Sequence, residues 1–253
     1  MGLLIAEYRK IVTLRFWWAL LIAPLVIGVF ASAISAGAAD AADEVDPNFR
    51  TGLASVGLYV AIYMIVIFSA LFGAINTGTE FRHKTLTPTF LTSSGRDGVI
   101  GTKLLVTALF GLAYGLVVEV VSVVCMLLFG GDQFELNSTL FKVLLVSLLA
   151  VVCWALIGGG LGLLLASPIG AAIALVVWYL VGEWIFAAIL AGIGLESAGL
   201  HLPFFSTIGT VAAGQLDGES DWPDFAISFP TLLLWTVLTV ALGWYMTRKR
   251  DVT

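Results

Sequence analysis

Two isolated carboxyls and one polar segment are the residues whose placement could support chemistry. Glu119 and Glu183 each interrupt a long apolar run. A carboxyl in such a run is expensive to bury and marks a candidate ion, proton or cargo site. A carboxyl partnered by a neighbouring helix fits the same pattern. The segment from Asn76 to Lys103 carries Glu80, Arg82, His83 and Lys84 beside the apolar Leu86, Phe90 and Leu91. Apolar side chains on a polar loop imply a surface to dock on. Glu80 and Arg82 stand two residues apart, so on a helix they do not face each other. Each is free to find a partner on another protein or elsewhere in this one.

Other chemistry is missing. There is no Gly-Lys-Ser or Gly-Lys-Thr of a phosphate-binding loop, no His-Glu-x-x-His, no Cys-x-x-Cys and no Gly-x-Ser-x-Gly. The two histidines, His83 and His201, fall on opposite sides of the expected membrane, so no metal site is expected. Cys125 and Cys153 lie in apolar runs and read as small apolar residues. A chain of this kind is not expected to be an enzyme.

The elements that would position these residues follow from composition. The chain has 253 residues, of which 60% are hydrophobic and 11% charged, and its mean hydropathy is +1.04. Soluble domains carry about 25% charged residues. The solvent for most of this chain is therefore lipid. The net charge of −5, without a basic cluster longer than three, argues against a nucleic-acid partner.

A span needs about 20 apolar residues. The uncharged or nearly uncharged runs give six spans, at about 16–38, 53–76, 103–129, 140–166, 169–194 and 229–247. The run from Val143 to Gly182 is too long for one span, and Ser167-Pro168-Ile169-Gly170 divides it. The expected fold is thus an all-α integral membrane protein forming a single domain, 1–253. Ten of the 12 Lys and Arg residues fall on the side of the termini, so both termini are expected in the cytoplasm. Ala36-Gly37-Ala38 has the form of a signal-peptidase site, but the apolar run before it is long, and an uncleaved anchor is expected.

Outside the spans, residues 3–15 place Leu4, Ile5, Tyr8, Ile11 and Val12 on one half of a helical wheel, and Glu7, Arg9, Lys10 and Thr13 on the other. An amphipathic helix in the cytoplasmic interface is expected, with Trp17 and Trp18 at the headgroup level. Ser94 followed by Asp97 has the form of a capping box for the third span. Residues 195–228 include Leu202-Pro203-Phe204-Phe205 and are apolar enough to re-enter the membrane from outside. Asn137-Ser138-Thr139 fits a glycosylation acceptor but reads better as the polar start of the fourth span. Glycines 158, 159, 160 and 162, and Gly111 and Gly115, read as close helix packing.

The stretch Glu80-Phe81-Arg82-His83-Lys84-Thr85-Leu86, followed by Arg96 and Lys103, resembles the permeases of type-2 ATP-binding-cassette (ABC) exporters. In that family a similar Glu-x-Arg-x-x-Thr stretch, then an Arg and a Lys, lies between the second and third of six spans. The amphipathic start, the Pro-containing turn between spans four and five and the apolar segment between spans five and six are similar too. The family often has Gly where this chain has Lys84, and Pro before the Arg where it has Ser93-Ser94-Gly95.

The resemblance implies half of a homo- or heterodimeric permease, with ATP and Mg bound by a separate ABC ATPase subunit. Its coupling helix between spans two and three would use Glu80, Arg82, Thr85, Leu86, Phe90, Leu91 and Arg96 to dock that ATPase. The cargo implied is amphipathic or lipid-like (a drug, antimicrobial peptide or lipid), moved outward from the cytoplasm or inner leaflet. Glu119 and Glu183 would then line the cargo path or dimer interface. The alternative is a gradient-driven carrier or channel with those two acids as ion or proton sites. Membrane lipid is a partner on either reading, and the location is a cell membrane, as a multi-pass protein.

Overall fold

In the computed structural model the described residues are 2–41, 47–85, 89–90, 95–129, 136–216 and 222–250. They form helices and no strands. In order these are α1 (Gly2–Thr13), α2 (Phe16–Ala41), α3 (Pro47–Arg82), α4 (Arg96–Phe129), α5 (Ser138–Leu165), α6 (Pro168–Val177), a π-helical turn (Trp178–Gly182), α7 (Glu183–Gly192), α8 (Glu196–Gly199), α9 (Pro203–Val211) and α10 (Phe225–Lys249). Six stretches are long and apolar enough to cross a membrane: one each on α2, α3, α4, α5 and α10, and one through α6, the π turn and α7.

The break expected at Ser167-Pro168 is present. Ala166 adopts the left-handed conformation (φ 51°) and its N–H donates to Gly162 O. Ser167 then caps α6, its Oγ accepting from Gly170 N at 3.1 Å, with Pro168 in the first turn. Asn137 likewise caps α5, its Oδ1 accepting from Leu140 N at 2.8 Å, so it opens the fourth span as expected.

The central helix is α3, which packs on α2, α4, α5 and α6. In lipid, helices gain little from apolar burial against one another, so close van der Waals approach must hold them. Glycines permit it. A Cβ on Gly158 of α5 would lie 2.6 Å from Ala70 C, and one on Gly160 would lie 2.6 Å from Thr239 C of α10. Gly111 of α4 faces Ala155 in the same way. Hydroxyls fill the remaining polar needs: Ser69 Oγ donates to Val151 O at 3.1 Å, and Thr77 Oγ1 to Gly159 O at 2.9 Å.

The helices overrun the expected spans. α3 continues to Arg82 instead of ending near 76, α4 begins at Arg96 instead of near 103, and α10 runs from Phe225 to Lys249. A charge ends an apolar run in sequence, but it does not end a helix whose charged turns find partners. The turn Trp178–Gly182 departs from α geometry within the fifth span, a feature the sequence does not signal.

Candidate functional site: a charge cluster and the segment between α3 and α4

The polar face of α1 does not simply point to water. Glu7 is buried, and so is Ile11, while Leu4, Ile5, Tyr8 and Val12 are exposed. α1 packs on α4, and its Glu7 and Lys10 meet Glu80 from the last turns of α3 and Lys103 from the second turn of α4. Lys10 Nζ bonds Glu7 Oε1 at 2.6 Å and Glu80 Oε1 at 2.8 Å. Lys103 Nζ bonds Glu7 Oε2 at 2.6 Å and approaches Glu80 Oε1 at 3.0 Å. Two acids and two bases thus close a neutral ring that joins three helices.

Burial in the ring is unequal. The Lys103 side chain is 3% exposed and that of Lys10 is 39% exposed. Burial alone would push the Glu7 carboxyl up, but Lys103 and Lys10 outweigh it and hold the carboxyl below its ordinary range. Burial alone would pull Lys10 down, but Glu7 and Glu80 outweigh it and hold the ammonium above its ordinary value. Asn76 continues the polar seam one turn back along α3, its Nδ2 donating to Thr107 Oγ1 at 2.9 Å.

The segment after α3 begins on this ring. Lys84 takes a left-handed conformation (φ 54°), the position where the resembling family often has Gly. Thr85 N then donates to Glu80 O at 3.1 Å. Arg82, His83, Lys84 and Thr85 are exposed. Phe90 turns back onto this chain and packs against the cluster of Ile100, Leu104 and Leu163, with the Arg96 guanidinium 5.6 Å from its ring centroid. Leu86, Leu91 and Ser94 lie outside the described residues. Of the seven residues expected to dock an ATPase, Arg82 is exposed, Thr85 is exposed but bonded to Glu80 O, Glu80 is internal, and Phe90 and Arg96 make contacts within the chain.

The far end of the segment is tied to the end of α10. Arg96 Nη1 donates to Arg248 O at 3.0 Å. The capping box expected of Ser94 lies outside the described residues; Asp97 Oδ1 accepts from Trp244 Nε1 at 2.8 Å and meets Arg248 Nε at 3.3 Å. Arg250 donates to Leu163 O at 3.0 Å and to Leu164 O, capping the C-terminus of α5, and its guanidinium lies 5.6 Å from the Phe81 ring centroid.

The two acids inside the spans are not near this cluster, and each is partnered. Glu119 Oε1 accepts from Ser147 Oγ at 2.7 Å, between α4 and α5. Glu183 is fully buried and binds the N-terminus of α9: Oε1 accepts from Phe204 N at 2.6 Å and Phe205 N at 3.0 Å, and Oε2 accepts from Trp178 Nε1 at 2.9 Å. Leu202, at the cap position, supplies no side-chain bond, so Glu183 replaces a local cap from another helix. The Phe204 ring sits among Tyr63, Tyr179 and Trp184, at 5.8, 4.8 and 5.9 Å between centroids. No group of three or more His, Cys, Asp or Glu that could hold a metal occurs among the described residues.

Sequence reading found Glu80 and Lys103 but missed Glu7 and Lys10 as their partners. The one available signal was a Glu and a Lys three apart on an amphipathic helix. Residues 3–194 match the model of a family described as ABC-2 family transporter protein. No curated protein matches the chain.

Proposed function

The chain belongs to the ABC-2 transporter family, as a permease with six membrane-spanning helices, and we propose that it is one half of a dimeric ABC exporter. The family match over residues 3–194 carries this reading. On it, both termini and the segment 80–96 are cytoplasmic, α1 lies in the inner interface with Leu4, Ile5, Tyr8 and Val12 in lipid, and α9 belongs to an outer re-entrant segment. A separate ATPase, which holds ATP and Mg, docks on the segment 80–96. The cargo is amphipathic or lipid-like and leaves the cytoplasm or inner leaflet.

The geometry supplies a path for the mechanical step. The segment starts at Glu80, whose carboxylate is bonded to α1 and α4, and ends at Arg96 and Asp97, bonded to α10. A push on the segment is therefore shared by α1, α3, α4 and α10, and Arg82, His83 and Lys84 are exposed for docking. The carrier alternative finds less support, because Glu119 and Glu183 are already bonded within the fold.

The test is copurification of an ABC ATPase with the chain, together with transport, for Arg82→Ala, Phe90→Ala and Glu80→Ala. Arg82→Ala should weaken ATPase capture while membrane insertion persists. Glu80→Ala and Phe90→Ala should lower transport by loosening the segment's base. If all three capture the ATPase and transport like the parent, the segment is a passive linker and the coupling assignment is wrong.

A further inference from the structure

A groove of about 500 Å³ runs along α10 where it meets α4 and α5, walled by Leu104, Leu156, Val237, Val240 and Trp244, with Arg248 at its end. The residues that α10 contributes run from Thr236 to Arg248 at spacings of about one turn. At 1.5 Å per residue these cover ~18 Å of helix axis. Half the hydrocarbon thickness is ~15 Å. The groove therefore extends over one leaflet, from the middle of the sixth span to its charged end.

We propose that this groove binds one anionic phospholipid, an acyl chain lying along Val237, Val240 and Leu156 and the phosphate at Arg248 and Arg96. The walls are apolar and suit a hydrocarbon chain. The mouth is cationic. Arg248 is 60% exposed, and it meets Asp97 through Nε at 3.3 Å. Arg96 is exposed beside it, held by its bond to Arg248 O. Lys249 stands 4.5 Å from the Tyr245 ring centroid, and Tyr245 also lines the groove. Among the described residues the one acid at the mouth is Asp97, and its carboxylate is engaged by Trp244 and Arg248. Three cations against one partnered acid select a negative headgroup, and guanidinium forks suit a phosphate. Basic pockets between spans at a membrane surface bind anionic headgroups in just this way. Trp244 fixes the depth, since its ring walls the groove and its Nε1 is held at the interface by Asp97. A second copy of this chain suits the groove less, because it would bring its own cationic mouth against this one.

This inference goes beyond the exporter reading, because a lipid can dock here whether or not an ATPase binds at 80–96. The experiment uses the full chain, purified in mild detergent. Native mass spectrometry and thermal unfolding are read with added phosphatidylglycerol, with phosphatidylcholine of the same chains, and with glycerol phosphate alone. Phosphatidylglycerol should be retained and should raise the unfolding temperature more than phosphatidylcholine, and glycerol phosphate should do neither. Each cation near an anionic headgroup is worth about fivefold in affinity. Arg248→Gln should thus weaken phosphatidylglycerol binding about fivefold, and Arg96→Gln with Arg248→Gln about 25-fold. Both residues are exposed, so these variants should fold. Val240→Trp fills the groove and should abolish retention of the lipid, while Arg9→Gln, on exposed α1 surface, should change nothing. Equal binding of both lipids, or unchanged binding in Arg248→Gln, overturns the proposal. So does disulfide capture of a second copy by a cysteine at Val237.

Discussion

Lys103→Met tests the charge ring most directly. The substitution keeps the length of the side chain and removes its charge. Glu7 and Glu80, 1% and 6% exposed, would then share Lys10 alone. Breaking a buried pair by removing one partner costs ~3–5 kcal/mol, because the other charge stays buried. Lys10→Met removes the same charge from the same carboxylates, but Lys10 is 39% exposed, so water can take part of its place beside them and the loss should be smaller. The expected order is thus Lys103→Met above Lys10→Met, although both lysines touch both acids. The double variant Glu7→Gln with Lys103→Met removes one acid with one base and should recover part of the loss, an interaction energy of ~1–3 kcal/mol. The assay is the unfolding free energy of the purified chain in graded denaturing detergent. The pH dependence has a fixed sign. The Glu7 contribution is complete above the ordinary carboxylate range and is lost as pH falls through its lowered folded value. The Lys10 contribution is complete below the ordinary lysine value and is lost as pH rises through its raised one. The stability contributed by Glu7 and Lys10 should therefore be flat through neutral pH. Equal losses for the two lysine variants, or a double variant no better than the sum of its parts, would refute the reasoning.

Glu183→Ala leaves the amides of Phe204 and Phe205 without their acceptor, at ~1–3 kcal/mol for each buried group; hydrogen exchange should rise at those two amides first, and Glu183→Gln, which keeps an acceptor, should be milder. Gly158→Leu drives a side chain into α3, where even a Cβ would lie 2.8 Å from Ala70 Cα; since overpacking costs ~1–3 kcal/mol against movable side chains and more against backbone, size-exclusion profiles should show loss of the folded species.

The six spans were legible because lipid imposes one requirement everywhere, a stretch of about 20 residues without charge. The turn at Ser167-Pro168 was legible because its signal is local: a capping hydroxyl, a proline and the glycine that follows. Glycine packing on α5 was legible in kind, but not which helix each glycine meets. The ring was not legible. Glu7 and Lys103 are 96 residues apart, and no pattern in the chain pairs them. Glu183 was marked as a site because a lone acid in a span is costly. Its partners include two backbone N–H groups, which every residue carries and which a reading of side-chain types therefore cannot find. That Phe90 would also pack on Ile100, Leu104 and Leu163 was not legible, because an apolar residue in a loop shows no neighbour in sequence.

The segment between α3 and α4 differs at its two ends in a way that bears on the proposed coupling. At the α3 end the ties are ionic, shared among four side chains and, apart from the half-exposed Lys10, buried. At the α4 end they run to the last turn of α10 through exposed groups, Arg96 to Arg248 O and Arg248 to Asp97, whose side chains are 60% and 52% exposed for the latter pair. Exposed pairs are screened by salt and contribute little, whereas buried ones hold geometry. A force applied to the segment should therefore move α3, α1 and the start of α4 as one body, and should slip first at the contact with α10. That contact forms the mouth of the lipid groove. A phosphate held by Arg248 and Arg96 would cross-link the two sides of the slipping contact, so an anionic lipid would stiffen the weaker end of the same lever that the ATPase is proposed to push.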